Sequence, residues 1–241
     1  SRDWSSDVCS SDLRTSKATV ADLIEANQLV ARIRDKKHTR LKIKSIPLDQ
    51  AVVAVTSDAS WANCSDLHSQ AAYMVMISHQ DVSNDKWADV SPLRWKSWKL
   101  DRRTQSTLGA ELMALSRALA EGDWIRSLLA EARQPDYQLQ KDREHRQQLA
   151  MIAVTDNKPI YDHCHGDGVV VRDKRMAIDM LVVRADLKSQ GISLRWVDTR
   201  QMVVDSLTKI GANPDFLYFV LRVGRFICVA ENVSLQLKAQ E

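Results

Sequence analysis

The sequence predicts an α/β (α+β) domain built on a five-stranded mixed sheet flanked by helices. Three apolar segments, the first beginning at Ala51, are separated by short polar turns and are typical of an antiparallel meander. From Ser106 the apolar residues recur at helical spacing. Two shorter strand segments then alternate with helical ones, which indicates β-α-β crossovers. The order β-β-β-α-β-α-β-α therefore favours three antiparallel strands followed by two strands joined through helices.

The composition bounds the class of protein. The chain has 241 residues, of which 44% are hydrophobic, enough for one sizeable domain with extensions. No apolar run approaches the roughly 20 residues that span a bilayer, so we expect no membrane partner. The formal charge of +3 is compatible with a nucleic-acid partner but does not establish one. Four dispersed cysteines without C-x-x-C spacing favour a reducing, intracellular compartment and no zinc site.

Residues 1–13 are polar and aperiodic. From Asp3 to Leu13 they match one reading frame of a widely used short-read sequencing adapter. We therefore predict that they are a disordered artefact of gene assembly, and we exclude them from the fold. The protein's own sequence would then begin near Arg14, inside a longer open reading frame.

Two strand segments each lead into an aspartate. The run Ala51–Thr56 is apolar and β-branched and leads to Asp58, and Met151–Thr155 leads likewise to Asp156. A carboxylate at the head of a buried strand is costly unless a cation or several hydrogen bonds compensate its desolvation. Taken alone, Asp58 is more often a strand cap that faces a turn.

Four segments have apolar residues at helical spacing, and we predict helices over residues 19–34, 106–129, 174–187 and 201–210. In the second helix, Glu111 lies three residues after Leu108 and four before Leu115, so it shares their apolar face. The alternative is a solvated glutamate at the edge of that face. In the last helix, Asp205 lies among apolar residues.

Four carboxylates thus occupy apolar settings: Asp58, Glu111, Asp156 and Asp205. If the fold brings them together, they repel one another strongly unless cations bind between them. Mg²⁺ prefers oxygen ligands and recruits phosphate oxygens. Two such ions can clamp the attacking water and the leaving oxygen of a phosphoryl displacement. Since no nucleophile motif is present, phosphodiester hydrolysis is the chemistry that this set performs best.

Several short segments occur in the order of a known family: Ser57–Asn63, Ser69-Gln70, Trp98-Lys99, Ser106–Leu115, Thr155–Lys158, Lys174–Asp179 and Trp196–Lys209. From about Val52 to Lys209 the chain resembles the ribonuclease H domain of copia-type retrotransposon polyproteins. The Thr-Asp-Asn block at Asp156 and the Asp-Ser-Leu-Thr-Lys block at Asp205 are specific in combination.

The resemblance implies a five-stranded ribonuclease H fold that cleaves the RNA strand of an RNA–DNA hybrid with two Mg²⁺ ions, for which Mn²⁺ can substitute. By this resemblance Asp58 bridges both metal ions. Glu111 and Asp156 hold the ion near the attacking water and the leaving oxygen, and Asp205 completes one metal shell. Cellular ribonucleases H carry a histidine before the last aspartate, and Asp198–Met202 has none.

The resemblance also divides the chain. Residues 14–50 resemble the segment that links a reverse transcriptase to this domain, residues 51–210 the ribonuclease H domain itself, and residues 211–241 form a C-terminal extension. A reverse transcriptase domain of the same polyprotein is the implied partner, and a cytoplasmic retroelement particle the implied location. The residues His163, Cys164 and His165 could suggest a metal site, but we predict a polar loop there.

Hybrid binding needs contacts to phosphates and 2′-hydroxyls. We predict that Asn63, Gln70 and Asn157, which neighbour the aspartates, contact the minor groove. A basic and aromatic strip along the DNA strand would comprise Trp95, Lys96, Trp98, Lys99, Arg102 and Arg103. Of these, Lys99 is assigned to substrate binding. The alternative for the strip is a tryptophan-anchored core with a solvated charged face.

Two other functions stay open at this point. One is a catalytically silent ribonuclease H-like module that only binds nucleic acid or supports the polymerase, against which the four intact acids argue. The other is an integrase-like strand-transfer enzyme of the same fold. Such enzymes usually have three acids in D-D-E order and a zinc-binding segment, which is absent from this sequence.

Overall fold

The computed structural model describes residues 18–166, 173–209 and 211–229. The adapter-like residues 1–13 lie outside these ranges. The strands, in chain order, are β1 Ala51–Ser60, β2 Gln70–His79, β3 Ala88–Lys99, β4 Met151–Thr155, β5 Ile192–Trp196 and β6 Arg225–Phe226. The helices of the described part are α1 Val20–Asp35, α2 Thr107–Arg133, α3 Asp142–Gln147, α4 Lys158–His165, α5 Lys174–Gln190 and α6 Asp215–Val223. Within these ranges, none of the helices has the length and apolar character needed to cross a membrane.

The sheet has the strand order β5-β4-β1-β2-β3-β6. Strands β1, β2 and β3 form an antiparallel meander, β4 runs parallel to β1, and β5 runs parallel to β4. The predicted fold class and its ribonuclease H-like arrangement are therefore confirmed. The strand count differs by one, because the two-residue β6 pairs with Ala88 and Asp89 at the start of β3. A ladder this short leaves no periodic signal in the sequence.

Both faces of the sheet are covered. Helices α2, α4 and α5 pack over one face, where Leu112 and Met180 share a buried cluster with Val53. The chain after β5, including α6, covers the other face through residues such as Val203 and Leu217. Because the central strands are buried on both sides, they read as continuous apolar runs in the sequence.

Helix α2 approaches β1 closely at Gly122. A Cβ atom added there would clash with Met151 Cε of β4 and lie 2.6 Å from Val55 Cγ2, so only glycine fits without a shift of the surroundings. One turn later the buried Arg126 donates hydrogen bonds to the carbonyl oxygens of Leu149 and Gln190. These contacts hold α2 against the sheet and thereby set the position of its N-terminal turns.

The predicted helix over residues 201–210 is wrong. The segment instead forms two 3-10 turns, Thr199–Gln201 and Asp205–Leu207. Three consecutive residues between them, Met202–Val204, are all buried. A surface helix buries one face and exposes the other, so it cannot bury three neighbours in a row.

The predicted polar loop around Cys164 is also wrong, because these residues belong to α4. Asn157 caps this helix by accepting a hydrogen bond from the Ile160 N–H, and Pro159 occupies the first turn. The Cys164 side chain packs against the core cluster beneath α2. The cysteine is therefore part of the packing of α4.

Candidate metal centre

Asp58 lies near the end of β1 and is fully buried. In the parallel ladder Thr56 pairs with Val154. Continuing this register by two residues brings Asp58 beside Asp156. The two apolar strands that each lead into an aspartate are therefore neighbours in the sheet, and their carboxylates share one end of it.

Glu111 reaches the same strand ends from the beginning of α2. Ser106 caps this helix by accepting a hydrogen bond from the Gly109 N–H. Small residues, among them Ala59 and Ala110, form a buried cluster between β1 and the helix. Glu111 is only 5% exposed. The alternative of a solvated glutamate at the edge of the apolar face is thus wrong.

Asp58, Glu111 and Asp156 form a compact three-carboxylate group. One carboxylate oxygen from each residue lies within 4.8 Å of the others. The Thr199 hydroxyl donates a hydrogen bond of 2.9 Å to Asp156 Oδ2. In contrast, Asp58 Oδ1 and Glu111 Oε2 are buried without a hydrogen-bond partner among the described residues. Two buried acceptor oxygens are therefore left for a ligand.

The environment raises the pKa of all three carboxyls. For Glu111, burial raises the pKa well above its usual value, and the charges of Asp58 and Asp156 add to the shift. Burial, followed by the charge of Asp58, raises the pKa of Asp156 to about 6. Burial also raises the pKa of Asp58, although Lys209 and Thr208 oppose the shift. A divalent cation would offset both causes, since it compensates lost hydration and screens the repulsion.

The fourth predicted carboxylate, Asp205, lies on the second 3-10 turn and is outside the three-carboxylate group. Its carboxylate forms an ion pair with Lys209. The Lys209 ammonium nitrogen is also 3.6 Å from Asp58 Oδ2. The charge of Asp205 contributes to the raised pKa of both Asp58 and Asp156. The structure therefore places Asp205 next to the three-carboxylate group, and Lys209 contacts both Asp205 and Asp58.

Asn63 and Gln70, predicted as substrate contacts, make their bonds within the protein. Asn63 Nδ2 donates to the Thr208 carbonyl over 2.9 Å, and its Oδ1 accepts from the Gln70 N–H over 2.9 Å. Gln70 Nε2 donates to Ser97 Oγ, which in turn donates to the Leu207 carbonyl over 2.7 Å. We name Asn63, Gln70 and Ser97 the polar clamp, because they fasten the 3-10 turn of Asp205 to β2 and β3.

The other two predicted substrate contacts also have partners. Asn157 is the cap of α4. The Lys99 ammonium group lies 2.8 Å from Asp66 Oδ2 in a partly exposed ion pair. Neither contact prevents these residues from meeting a nucleic acid, so their predicted role stays a prediction.

The basic and aromatic strip is divided by the alternation of β3. Trp98 is partly buried and packs edge-on against Tyr73, with ring centroids 5.6 Å apart. Trp95 is 46% exposed. Arg102 forms an ion pair with Asp179. One tryptophan therefore anchors the core and the other faces outward, so the two do not form one continuous surface.

Three residues that contact the carboxylates received no role in the sequence analysis: Thr199, Thr208 and Lys209. The Thr208 hydroxyl donates a hydrogen bond to Asp58 Oδ2. The spacing of four residues between Asp205 and Lys209 is a signal for an ion pair and could have identified the lysine. Thr199 carries no such signal, because it approaches Asp156 only through the fold.

The chain has similar proteins among known sequences and solved structures. No family model matches the chain. The chain is 26% identical over 178 residues to the retrovirus-related Pol polyprotein from transposon RE1 of Arabidopsis thaliana. That match covers 70% of this chain and only 10% of the polyprotein's length. It confirms the predicted resemblance to a retrotransposon polyprotein.

Among solved structures, the chain is similar to LC11-RNase H1, isolated from compost, with a TM-score of 0.44 and 13% identity over 68% of this chain and 96% of that one. RNase H1 from Halobacterium salinarum NRC-1 has a TM-score of 0.39 and 14% identity, covering 61% of this chain and 86% of that one. The PFV RNase H domain has a TM-score of 0.34 and 13% identity, covering 78% and 96%. The strand order and strand directions of the chain itself carry the fold assignment.

Proposed function

We propose that this protein is a metal-dependent endonuclease that hydrolyses the RNA strand of RNA–DNA hybrids during reverse transcription of a retrotransposon. The observation that carries the proposal is the convergence of Asp58, Glu111 and Asp156 from three separate elements to within 4.8 Å. Such a group is costly without a cation, because each charge opposes the ionisation of the others. Neutral side chains would fill the same position without that cost.

The donor set fits a divalent metal. Carboxylate oxygens are the ligands that Mg²⁺ prefers, and the unpartnered oxygens of Asp58 and Glu111 are available to it. Asp58, Glu111, Asp156 and Asp205 would together hold two Mg²⁺ ions, which Mn²⁺ can replace. When bound, the ions activate the attacking water and stabilise the leaving oxygen.

Other residues of the chain hold the carboxylates in position. Thr199 and Thr208 hold Asp156 and Asp58 through their hydroxyl groups, so each carboxylate presents its other oxygen to the site. The polar clamp holds the turn of Asp205 at the same end of the sheet. A site that is positioned in this way needs little rearrangement during the reaction.

The hybrid is proposed as the substrate because the relative is a Pol polyprotein of a transposon. By the same reasoning the partner is a reverse transcriptase domain of one polyprotein, and the location is intracellular. Residues 14–50 would link the two domains, and residues 51–210 would form the ribonuclease H domain. The extension after residue 210 contributes Leu217 and Phe226 to the same core, so we expect it to be needed for folding.

The proposal is tested by incubating the full chain with Mg²⁺ and a hybrid labelled on its RNA strand. We expect the RNA of the hybrid to be cut, while single-stranded RNA and duplex DNA stay largely intact. Hybrid binding without cleavage in either Mg²⁺ or Mn²⁺ would contradict the proposal and favour the catalytically silent module.

An amide substitution in the same assay tests the site. Asp156→Asn should lower turnover by at least ~100-fold, since even residues that support metal ligands contribute about that much, while hybrid binding is retained. Asp162→Asn is the matched control, because Asp162 is an exposed carboxylate of α4 that pairs with Lys158. Unchanged turnover of the Asp156 variant would show that the site is misassigned.

A further inference from the structure

Lys209 divides the acidic site into two halves. One half is the three-carboxylate group, and the other is the space between Asp58 and Asp205. Its ammonium group pairs with the Asp205 carboxylate and lies 3.6 Å from Asp58 Oδ2. The Thr208 hydroxyl donates to the same Oδ2 atom. Asp58 Oδ1, in contrast, has no hydrogen-bond partner among the described residues. The chain therefore neutralises one oxygen of Asp58 itself and leaves the other for a ligand.

The two halves differ in whether a cation of the chain compensates their negative charge. Asp58, Glu111 and Asp156 gather three carboxylates around unpartnered oxygens. Between Asp58 and Asp205 a positive charge is already present, supplied by Lys209. An ammonium group and a divalent ion cannot share this position, because they repel each other and compete for the same oxygens.

The backbone that leads into Lys209 is fastened, whereas the Lys209 side chain is partly exposed. The polar clamp binds the carbonyls of Leu207 and Thr208, the two residues that precede Lys209. The Lys209 side chain is nevertheless 39% exposed. A flexible stem with this exposure can carry the ammonium group out to solvent without disturbing the turn.

We propose that Lys209 is an internal cation that occupies the second metal position, between Asp58 and Asp205. This inference rests on the proposed metal-dependent function. The three-carboxylate group takes one divalent ion directly. A second ion binds only after Lys209 leaves its two carboxylates, so the second ion binds more weakly than the first. Lys209 thereby sets the metal concentration at which the site is complete.

The test is a calorimetric titration of the full chain with Mg²⁺, repeated with Mn²⁺, in the absence of nucleic acid. We expect the wild-type protein to bind one ion and then, more weakly, a second. In Lys209→Met, which keeps most of the stem and removes the charge, the second ion should bind at least about tenfold more tightly, because a unit charge is removed at short range. Lys209→Arg should retain the weak second step.

The control is Lys44→Met. Lys44 forms a comparable ion pair with Asp89, in which the nitrogen and oxygen atoms are 3.1 Å apart. Asp89 lies at the start of β3, at the end away from the polar clamp. It should titrate like the wild type. If the methionine variant does not fold, Lys209→Gln keeps a hydrogen-bond donor for Asp205 and carries the same expectation. If the second metal ion binds equally weakly after the Lys209 charge is lost, this inference is overturned and the proposed function is unaffected. If the wild-type protein binds neither metal, the metal site of the proposed function fails first.

Discussion

The three-carboxylate group and the turn of Asp205 present acids at the same end of the sheet, but they are held in different ways. The first group comes from β1, β4 and α2, which are fixed by the parallel register and by the close approach at Gly122. Asp205 lies on a 3-10 turn fastened by side-chain hydrogen bonds. We call β1, β4 and α2 the rigid frame. Such a frame can hold like charges together against their repulsion. On the 3-10 turn, the charge of Asp205 is instead compensated by a cation of the chain, Lys209.

The largest expected effect is at Glu111, whose buried carboxylate is held beside those of Asp58 and Asp156. Glu111→Gln should lower cleavage by at least ~100-fold, as expected for a metal ligand. The same change should stabilise the metal-free protein, because burial and the charges of Asp58 and Asp156 disfavour an ionised glutamate and the amide carries no charge. Cleavage assays and urea unfolding with a chelator measure the two effects.

Glu121→Gln is the matched control for this prediction. Glu121 is also a buried glutamate of α2, but its carboxylate pairs with Arg94 and Arg117. Its replacement should lower stability slightly and leave cleavage intact. If both variants shift stability in the same direction, the contrast between an uncompensated and a paired glutamate on one helix is lost.

The second prediction tests the frame itself at Gly122. Gly122→Ala places a Cβ against Val55 and should destabilise the protein by ~1–3 kcal/mol, the usual cost of overpacking. Because the displaced helix carries Glu111, cleavage should fall as well. Thermal unfolding and cleavage are the measurements.

Gly109→Ala is the control in the same helix, since a Cβ there meets nothing closer than 3.6 Å. It should be neutral or stabilising by up to ~1 kcal/mol, the difference in helix propensity. An alanine tolerated equally well at both positions would show that α2 is not held by this close approach.

The same contrast explains how much could be predicted from the sequence. The strands and α2 were recognisable because burial of apolar residues alone determines them, and that periodicity is visible in one dimension. Asp58, Asp156 and Glu111 were recognisable for the same reason, as charges that interrupt an apolar pattern. The start of α1 reflects local chemistry, since Thr19 and Asp22 form a capping box there.

The turn of Asp205 could not be predicted, because its shape depends on distant partners. The carbonyl groups of Leu207 and Thr208 accept hydrogen bonds from Ser97 and Asn63, which lie over 100 residues earlier in the chain. Helical spacing was present in the segment, but tertiary hydrogen bonds and complete burial outweighed it. The role of Lys209 was missed for the same reason, since its contact with Asp58 spans two elements.

The third prediction separates the two roles that Asn63 could have. If Asn63 holds the turn of Asp205, Asn63→Ala should lower kcat by roughly 10-fold and leave KM little changed, as for residues that orient metal ligands. Stability should fall by ~1 kcal/mol through the lost hydrogen bonds. A rise in KM at constant kcat would instead support the predicted contact with the hybrid. Asn84→Ala, an exposed asparagine of another 3-10 turn, is the control and should change neither parameter.

The last prediction concerns the pH dependence of the metal-free three-carboxylate group. In the unfolded chain an aspartate ionises near 3.8, whereas in the folded protein the pKa of Asp156 is raised to about 6. Between these values the folded protein binds more protons, so its free energy of unfolding falls as the pH rises. We expect Asp156 to contribute a decrease of up to ~3 kcal/mol to the free energy of unfolding, at ~1.4 kcal/mol per unit of raised pKa. Urea unfolding in a chelator measures this decrease, and Asp156→Asn should remove it. A decrease of equal size in the variant would mean that Asp156 ionises in the folded protein as it does in the unfolded chain, and the frame would then impose no cost there for a metal ion to relieve.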